Sequence, residues 1–459
     1  MKLKPLPRRF AVIGAGGPAG LAAMKVISEE LQSHPTPEEF EIVGLPNPNQ
    51  ALSEWPISPM YDSMMTNLPY PIMCYASYCV PRCPPLFSNA LAVQDYLREY
   101  AQHFNFGHRI IYASRVTAAT WDEASTQWKV VHLKAGKSET SYFDRLIVST
   151  GRHPYVPEMA GFDTWLSSES RSYIHSSEYR NSVPYRGRHA LVIGDGPSAW
   201  DISEEIASVA GRTIRSIRSP TTNSGPTATT DIHGAISHFS FDGFVHFQNG
   251  TSEFVDRVIF TTGYQYDYSF LTQIPRQEPD FTSDHLYISG FHVYPLALHM
   301  FPLQASFPPD SLAFIGVPKG LVMPTLAEAQ ATLAIRVMTG RVDLDFDHEL
   351  SEAHNRTEAL RSEYDNSAVR VAQKWHKIIP YQPQTYDLVD LTWEKALDSR
   401  RVPDWQRNWN LHAVGMRKEW RKLERLGLTE CWLAGIREGS IEDWVALMRR
   451  LTEQARIAE

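Results

Sequence analysis

Two glycine-rich runs in this chain have the makings of phosphate cradles: "VIGAGGPAGLAA" at residues 12–23 and "VIGDGPSAWDIS" at 192–203. Each follows a short apolar run and precedes a stretch of helical periodicity. A helix start offers free N–H groups and the positive end of a dipole, and glycines let an anion approach the backbone. The second run is a clean G-x-G-x-x-A from Gly194 through Gly196 to Ala199, with alanine acceptable where helix and strand pack closely. The first is irregular. Read forward from Gly14 the pattern ends on Ala19; read back from Gly20 it needs Gly17 and then meets Ala15. One glycine is in excess.

The elements that must hold these turns are legible. "RRFAVIG" (8–14) is a buried-strand run, 18–33 carries Leu21, Met24, Ile27 and Leu31 on one helical face, and "EFEIVGL" (39–45) is a second strand. Strand, glycine turn, helix, strand predicts a βαβ unit and a parallel sheet. The same grammar recurs over 189–217, with Ala199, Ile202, Ile206 and Val209 aligned on its helix and a strand ending near Ile217. A further repeat ties the halves together: "FDRLIVSTG" (143–151) and "VDRVIFTTG" (255–263) each read as an apolar strand ending in a glycine turn. From about residue 350 the character changes. Residues 412–427 and 440–459 read as amphipathic helices, the last with Ile441, Trp444, Val445, Met448 and Leu451 on one face behind a Ser440/Asp443 capping pair. Their tryptophan-rich faces are expected to be packing surfaces.

At 459 residues, two or three domains are expected. A 43% hydrophobic and 21% charged composition is ordinary for a globular protein, and a net charge of −8 argues against nucleic acid or anionic membrane as partner. "MKLKPLPRRFAVIGAGG" passes from a basic tail straight into the first strand, leaving no signal-peptide core, and no 18-residue apolar run appears. Four cysteines fit a reducing compartment without a disulfide framework. The expectation is a cytoplasmic protein with small-molecule partners, and a homo-oligomer is left open.

Two dinucleotide sites in one chain imply two cofactors that meet to pass a hydride or electrons, and a flavin with a nicotinamide is the natural pair. An NAD site usually places an acid at the end of its second strand. Here "TIRSIRSP" (213–220) offers Arg215, Ser216, Arg218 and Ser219 and no carboxylate. That favours a 2′-phosphate, hence NADPH, with Arg218 as its reader.

With these residues in view, the chain resembles the flavin-containing monooxygenases, the class B flavoprotein monooxygenases, over roughly residues 8–340. The carriers are "IGAGGPAGL" (13–21), "SPMYDSMMTNLP" (58–69), "STG" (149–151), "IHSSEYR" (174–180), "VIGDGPSAWDIS" (192–203), "TTGY" (261–264) and "LAFIGVP" with "MPTLAEAQA" (312–331). The resemblance implies an α/β fold of two Rossmann-like dinucleotide-binding domains, a FAD domain (1–184 and 286–350) interrupted by an NADPH domain (185–285), with a C-terminal helical extension (351–459). It aligns Gly14, Ala15 and Gly16 from the left and Pro18, Ala19, Gly20 and Leu21 from the right, so Gly17 is the extra residue. Glycine is the type expected to enter a lengthened turn without steric penalty.

The resemblance assigns FAD contacts to Gly14, Gly16, Gly17, Ala19, Gly20, Trp55, Thr150, Gly151, Thr325 and Gln330. It assigns nicotinamide contacts to Gly194, Gly196, Ser198, Ala199, Arg218, Thr262 and Gly263. Two departures stand out. Gly44 occupies the place of the acid that usually holds the FAD ribose, leaving Asn47, Asn49 and Gln50 as candidates. The fingerprint around His175 and Tyr179 has Glu169 and Arg171 in place of Phe and Gly, and its Tyr ending leans towards heteroatom oxidation over Baeyer–Villiger chemistry.

What the family implies is reduction of FAD by NADPH, addition of O2 to form a flavin C4a-(hydro)peroxide, and oxygen transfer to a nucleophilic nitrogen or sulfur. Asn67 in "TNLP" matches the asparagine beside the flavin and is the catalytic candidate, since an amide donates and accepts without titrating. No metal is expected. The competing class is the pyridine nucleotide–disulfide reductases, motivated by Cys74-x4-Cys79 in "CYASYCVPR" (74–82), with Cys83 extending the cluster.

Overall fold

The strand Arg9–Ile13 is apolar on both faces, as a strand between parallel neighbours must be. It pairs in parallel with Glu41–Leu45 on one side and Arg145–Val148 on the other, and Leu312–Phe314 completes the four-stranded sheet. The Pro18–Gln32 helix lies against the long Met323–Met338 helix. Leu21, Met24 and Ile27 are buried, as the periodicity predicts. An antiparallel meander of Ser114–Asp122, Gln127–Lys134 and Lys137–Phe143 adds a second layer. The computed structural model describes residues 9–32, 41–45, 59–79, 85–218, 230–436 and 440–457.

A second parallel sheet runs in the order Asp231–His233, Arg212–Ser216, His189–Ile193, Arg257–Phe260, Ser172–His175. Its Pro197–Ala207 helix buries Ala199, Ile202 and Ile206. The chain falls into two units. One holds the described parts of Met1–Leu52, Met65–Gly151 and Tyr266–Glu459; the other holds those of Ser53–Met64 and Arg152–Gln265. The boundary expected at 184/185 therefore lies at 151/152, because Ser172–His175 is an edge strand of the second sheet. The boundary expected at 285/286 lies at 265/266, because Tyr266, Tyr268, Phe270 and Leu271 already enter an apolar core of the first unit.

The D-R…T-G repeat extends to the hydrogen bonds. Asp144 accepts from the backbone N–H of Arg9 at 2.9 Å, and Asp256 accepts from that of His189 at 3.2 Å, each tying down the start of a fingerprint strand. At the other end, the Ser149 hydroxyl donates to the Ile13 carbonyl at 3.0 Å and the Thr261 hydroxyl to the Ile193 carbonyl at 2.8 Å. Both repeats close on a glycine of positive φ, +73° at Gly151 and +86° at Gly263.

In the C-terminal region, Asp387–Lys395, Asp404–Leu411, Ala413–Arg425 and Ile441–Ile457 share one core, in which Trp393, Trp409, Trp420 and Trp444 are buried. Asp443 accepts from the Ser440 backbone at 2.8 Å, which starts the last helix where a cap is expected. Among the described residues, no helix is long and apolar enough to cross a membrane.

Candidate active site

In the first unit, the glycines of the 14–20 turn divide by physical role. Gly14 has φ +94°, and a Cβ there would stand 2.7 Å from the Ser149 carbonyl. A Cβ on Gly20 would stand 2.3 Å from the Gly14 carbonyl oxygen. These two are required by the fold. On Gly16 a Cβ would meet nothing within 4 Å, so that position faces open space at the helix start. Gly17 departs from expectation: its φ is not in the left-handed region, and a Cβ would meet only the Gly14 carbonyl, at 3.8 Å. The lengthened turn is instead closed by a hydrogen bond from the Gly17 N–H to the Gly14 carbonyl, at 3.2 Å. An open face of side-chain-free backbone at a helix N-terminus fits the pyrophosphate of a dinucleotide.

Around this turn stand the other expected contacts. Ala19 is buried, and its Cβ would lie 3.3 Å from a Cβ added at Gly316, so the strand end, this turn and the start of the Met323–Met338 helix converge. Thr150 is buried and Gly151 exposed, beside the turn. The Gln330 side-chain carbonyl accepts from the Gly316 N–H at 2.9 Å, while its Nε2 is buried without a hydrogen-bond partner among the described residues. Thr325 is committed to protein: its hydroxyl reaches the Cys74 carbonyl at 3.5 Å and accepts from Gln406 Nε2 at 3.3 Å. Gly44 sits on the second strand opposite Val12. Trp55, Asn47, Asn49 and Gln50 lie outside the described residues.

Asn67 is exposed at the tip of a turn that Thr66 builds. The Thr66 hydroxyl donates to the Leu68 carbonyl at 2.8 Å and accepts from the Ser88 N–H at 3.0 Å. The turn is thus held by Thr66 rather than by the Asn67 amide.

In the second unit, Gly194 is required by the fold. Its φ is +140°, and a Cβ would stand 2.4 Å from Thr261 Oγ1. Gly196 caps the Pro197–Ala207 helix with φ −83°, and a Cβ there would meet nothing within 4 Å. Ser198 is half-buried in the first turn, and the Ala199 N–H donates to the Gly196 carbonyl at 2.9 Å. The Thr262 hydroxyl donates to the Tyr155 carbonyl. His175 is a clamp: its Nδ1 accepts from the Ser177 N–H at 3.1 Å, which leaves Nε2 to donate to the Gly263 carbonyl at 3.0 Å. Burial lowers its pKa, holding it neutral. Of the two arginines at the end of the Arg212–Ser216 region, Arg218 is exposed. Arg215 is buried, with its guanidinium 3.7 Å over the Trp200 ring, an arrangement spacing alone did not reveal.

Cys74 and Cys79 are free thiols, the first buried and the second exposed; Cys83 lies outside the described residues. Burial pushes the Cys74 thiol up, whereas a redox-active thiolate needs the opposite. No cluster of potential metal ligands exists among the described residues.

The chain is similar to several known proteins. The chain is 26% identical over 371 residues to a thiol-specific monooxygenase of Saccharomyces cerevisiae, covering 78% of this chain and 83% of that protein. It is 28% identical over 376 residues to the flavin-containing monooxygenase FMO GS-OX-like 9 of Arabidopsis thaliana, covering 73% and 77%. In fold it is similar to S-allyl-L-cysteine S-oxygenase from Allium sativum, with a TM-score of 0.71 at 24% identity and 98% of both chains covered. The profile of the flavin-binding monooxygenase-like family matches residues 7–224 and 227–381, and its members use FAD with NADPH. The chain therefore belongs to the flavin-binding monooxygenase-like family and is a flavoprotein monooxygenase.

Proposed function

We propose that this enzyme uses NADPH and O2 to oxygenate a nucleophilic heteroatom of a small molecule, sulfur ahead of nitrogen. The observation that carries the preference is that two similar proteins, from Saccharomyces cerevisiae and Allium sativum, are named for sulfur-containing substrates. The bound flavin, once reduced, supplies the electrons that activate O2. The chain's part is binding, orientation and exclusion of water. The Gly14–Gly20 turn holds one pyrophosphate and the Gly194–Ala199 turn the other, each at a helix start. Arg218 pairs with the nicotinamide 2′-phosphate, and this sets the preference for NADPH over NADH.

Asn67 has the catalytic role. Its amide donates and accepts in one orientation and changes charge at no pH, so it orients reacting groups without delivering a proton. Because the turn is held by Thr66, replacement of Asn67 leaves the backbone in place. The test is coupling. Asn67→Ala binds FAD and consumes NADPH but releases H2O2 in place of oxygenated product, while the parent enzyme oxidises a thioether faster than a tertiary amine. Full coupling in the variant removes Asn67 from the mechanism, and equal or reversed rates on the two substrates remove the preference for sulfur.

A further inference from the structure

A cavity of about 540 Å³ opens in the first unit, within the range of small-molecule sites. Its walls join the 70–79 segment and Thr325 to residues 393–444 of the C-terminal helical region, the last beyond the family match that ends at 381. Trp393, Trp405, Trp444 and Tyr70 form its aromatic sides, with the Tyr70 and Trp444 rings 6.0 Å apart. The ionised groups lining it are the guanidiniums of Arg400 and Arg401; no carboxylate does so among the described residues.

The arginines are fixed in place by neighbouring groups, and Asp398 engages two of the three nitrogens of Arg400. Arg400 stacks 3.8 Å from the Trp393 ring centre, and its Nε and Nη2 reach Asp398 at 2.9 and 3.0 Å. That same carboxylate also faces Arg336 at 3.4 Å, and Arg336 pairs in addition with Glu30 at 3.3 Å. Arg401 donates to the Arg400 and Asp398 carbonyls at 2.9 and 3.4 Å and faces the solvated carboxylate of Glu394 at 3.3 Å, which screens it weakly. The floor is fixed by Gln406, whose amide donates to the Ile72 carbonyl at 3.1 Å and to the Thr325 hydroxyl at 3.3 Å. Tyr75 lines the cavity and donates its hydroxyl to the Pro18 carbonyl at 2.7 Å, so the space adjoins the start of the first fingerprint helix.

We propose that this cavity binds an organic acid with a flat apolar body, the tryptophans taking the body and Arg400 and Arg401 the carboxylate, so that the region after residue 381 selects the ligand. Aromatic walls reward a flat apolar group, and the guanidinium N–H groups that Asp398 does not occupy can donate to a carboxylate. The assignment concerns binding and stands apart from which atom is oxygenated.

The test is calorimetric titration of the FAD-loaded enzyme with 2-naphthoate and, as its neutral counterpart, 2-naphthalenemethanol. The acid should occupy a single site, about tenfold more tightly than the alcohol. Trp405→Ala and Arg400→Met should each raise its Kd about fivefold or more, with FAD content unchanged. Arg401→Gln, at an exposed position, should do the same and carries the test if Arg400→Met fails to fold. Equal affinity for the two probes, unchanged Kd in the variants that fold, or displacement of FAD by the acid would each overturn the proposal. The last result would give the space to the flavin.

Discussion

Gly194 and Gly196 are two residues apart in one turn, yet they should fail differently when replaced by alanine. At Gly194 the new Cβ would lie 2.4 Å from the Thr261 hydroxyl and 2.7 Å from its carbonyl oxygen, with φ at +140°. A non-glycine residue held at such a φ costs about 1–3 kcal/mol, and relieving a backbone overlap adds about 1–3 kcal/mol. For a unit of this size the sum lowers Tm by roughly 10 °C. At Gly196 the backbone is ordinary and the Cβ meets no protein atom within 4 Å. The fold then loses only the small advantage of glycine over alanine at a helix cap, about 0.5 kcal/mol. The methyl group stands instead where a phosphate would approach the helix start, and lengthening a charge-assisted contact there costs about 1.5–3 kcal/mol, roughly ten- to a hundredfold in Kd. Thermal melts and NADP⁺ titrations of both variants separate the roles: Gly194→Ala loses stability, whereas Gly196→Ala keeps it and loses affinity. Equal destabilisation by the two, or parental affinity in Gly196→Ala, would refute the steric division of the turn.

Arg218→Ala should weaken NADPH binding about tenfold and leave NADH unchanged; an unaltered NADPH/NADH ratio would remove Arg218 as the phosphate reader. A buried histidine group in the first unit predicts acid sensitivity. His292 and His299 are pushed down to about 3 by burial, with Lys319 and Arg356 adding repulsion, and His376, 2.9 Å from His299, is also pushed well below its usual value. All three stay neutral when folded and charge when unfolded, so their contribution is intact above about pH 6.5 and falls as pH drops towards 3. At pH 5 that is about 2 kcal/mol per imidazole, which denaturant titrations at pH 7.5 and 5 would read; pH-independent stability would contradict it. Cys74→Ser and Cys79→Ser should retain turnover, because the buried thiol is shifted away from reactivity; loss of all NADPH oxidation in either would restore the disulfide-reductase reading.

Much of the scaffold was legible because parallel strands and their glycine turns leave dense local signals. The repeat at 143–151 and 255–263 predicts two equivalent strands, and the structure extends the equivalence to the paired roles of Asp144 with Asp256 and Ser149 with Thr261. The Ser440/Asp443 cap and the buried face of the last helix were equally readable. What eluded sequence depends on contacts between distant residues. The excess glycine at 17 is relieved by a hydrogen bond rather than by an unusual φ, which composition does not encode. Arg215 reads in the sequence as one of the cations offered to a 2′-phosphate, and in the structure it is buried with its guanidinium over the Trp200 ring of the neighbouring helix. The unit boundaries shifted because Ser172–His175 pairs with a strand more than 80 residues later. The cavity joins residues 70–79 to residues 393–444, a juxtaposition no local pattern announces.

The most direct test of the central claim follows the oxygen. The purified enzyme is supplied with NADPH, isotope-labelled O2 and a thioether, and the label in the product is compared with the NADPH consumed. One labelled oxygen atom in the sulfoxide for each NADPH oxidised is the result predicted. NADPH consumed with unlabelled product, or reduction of a disulfide without uptake of O2, would contradict it.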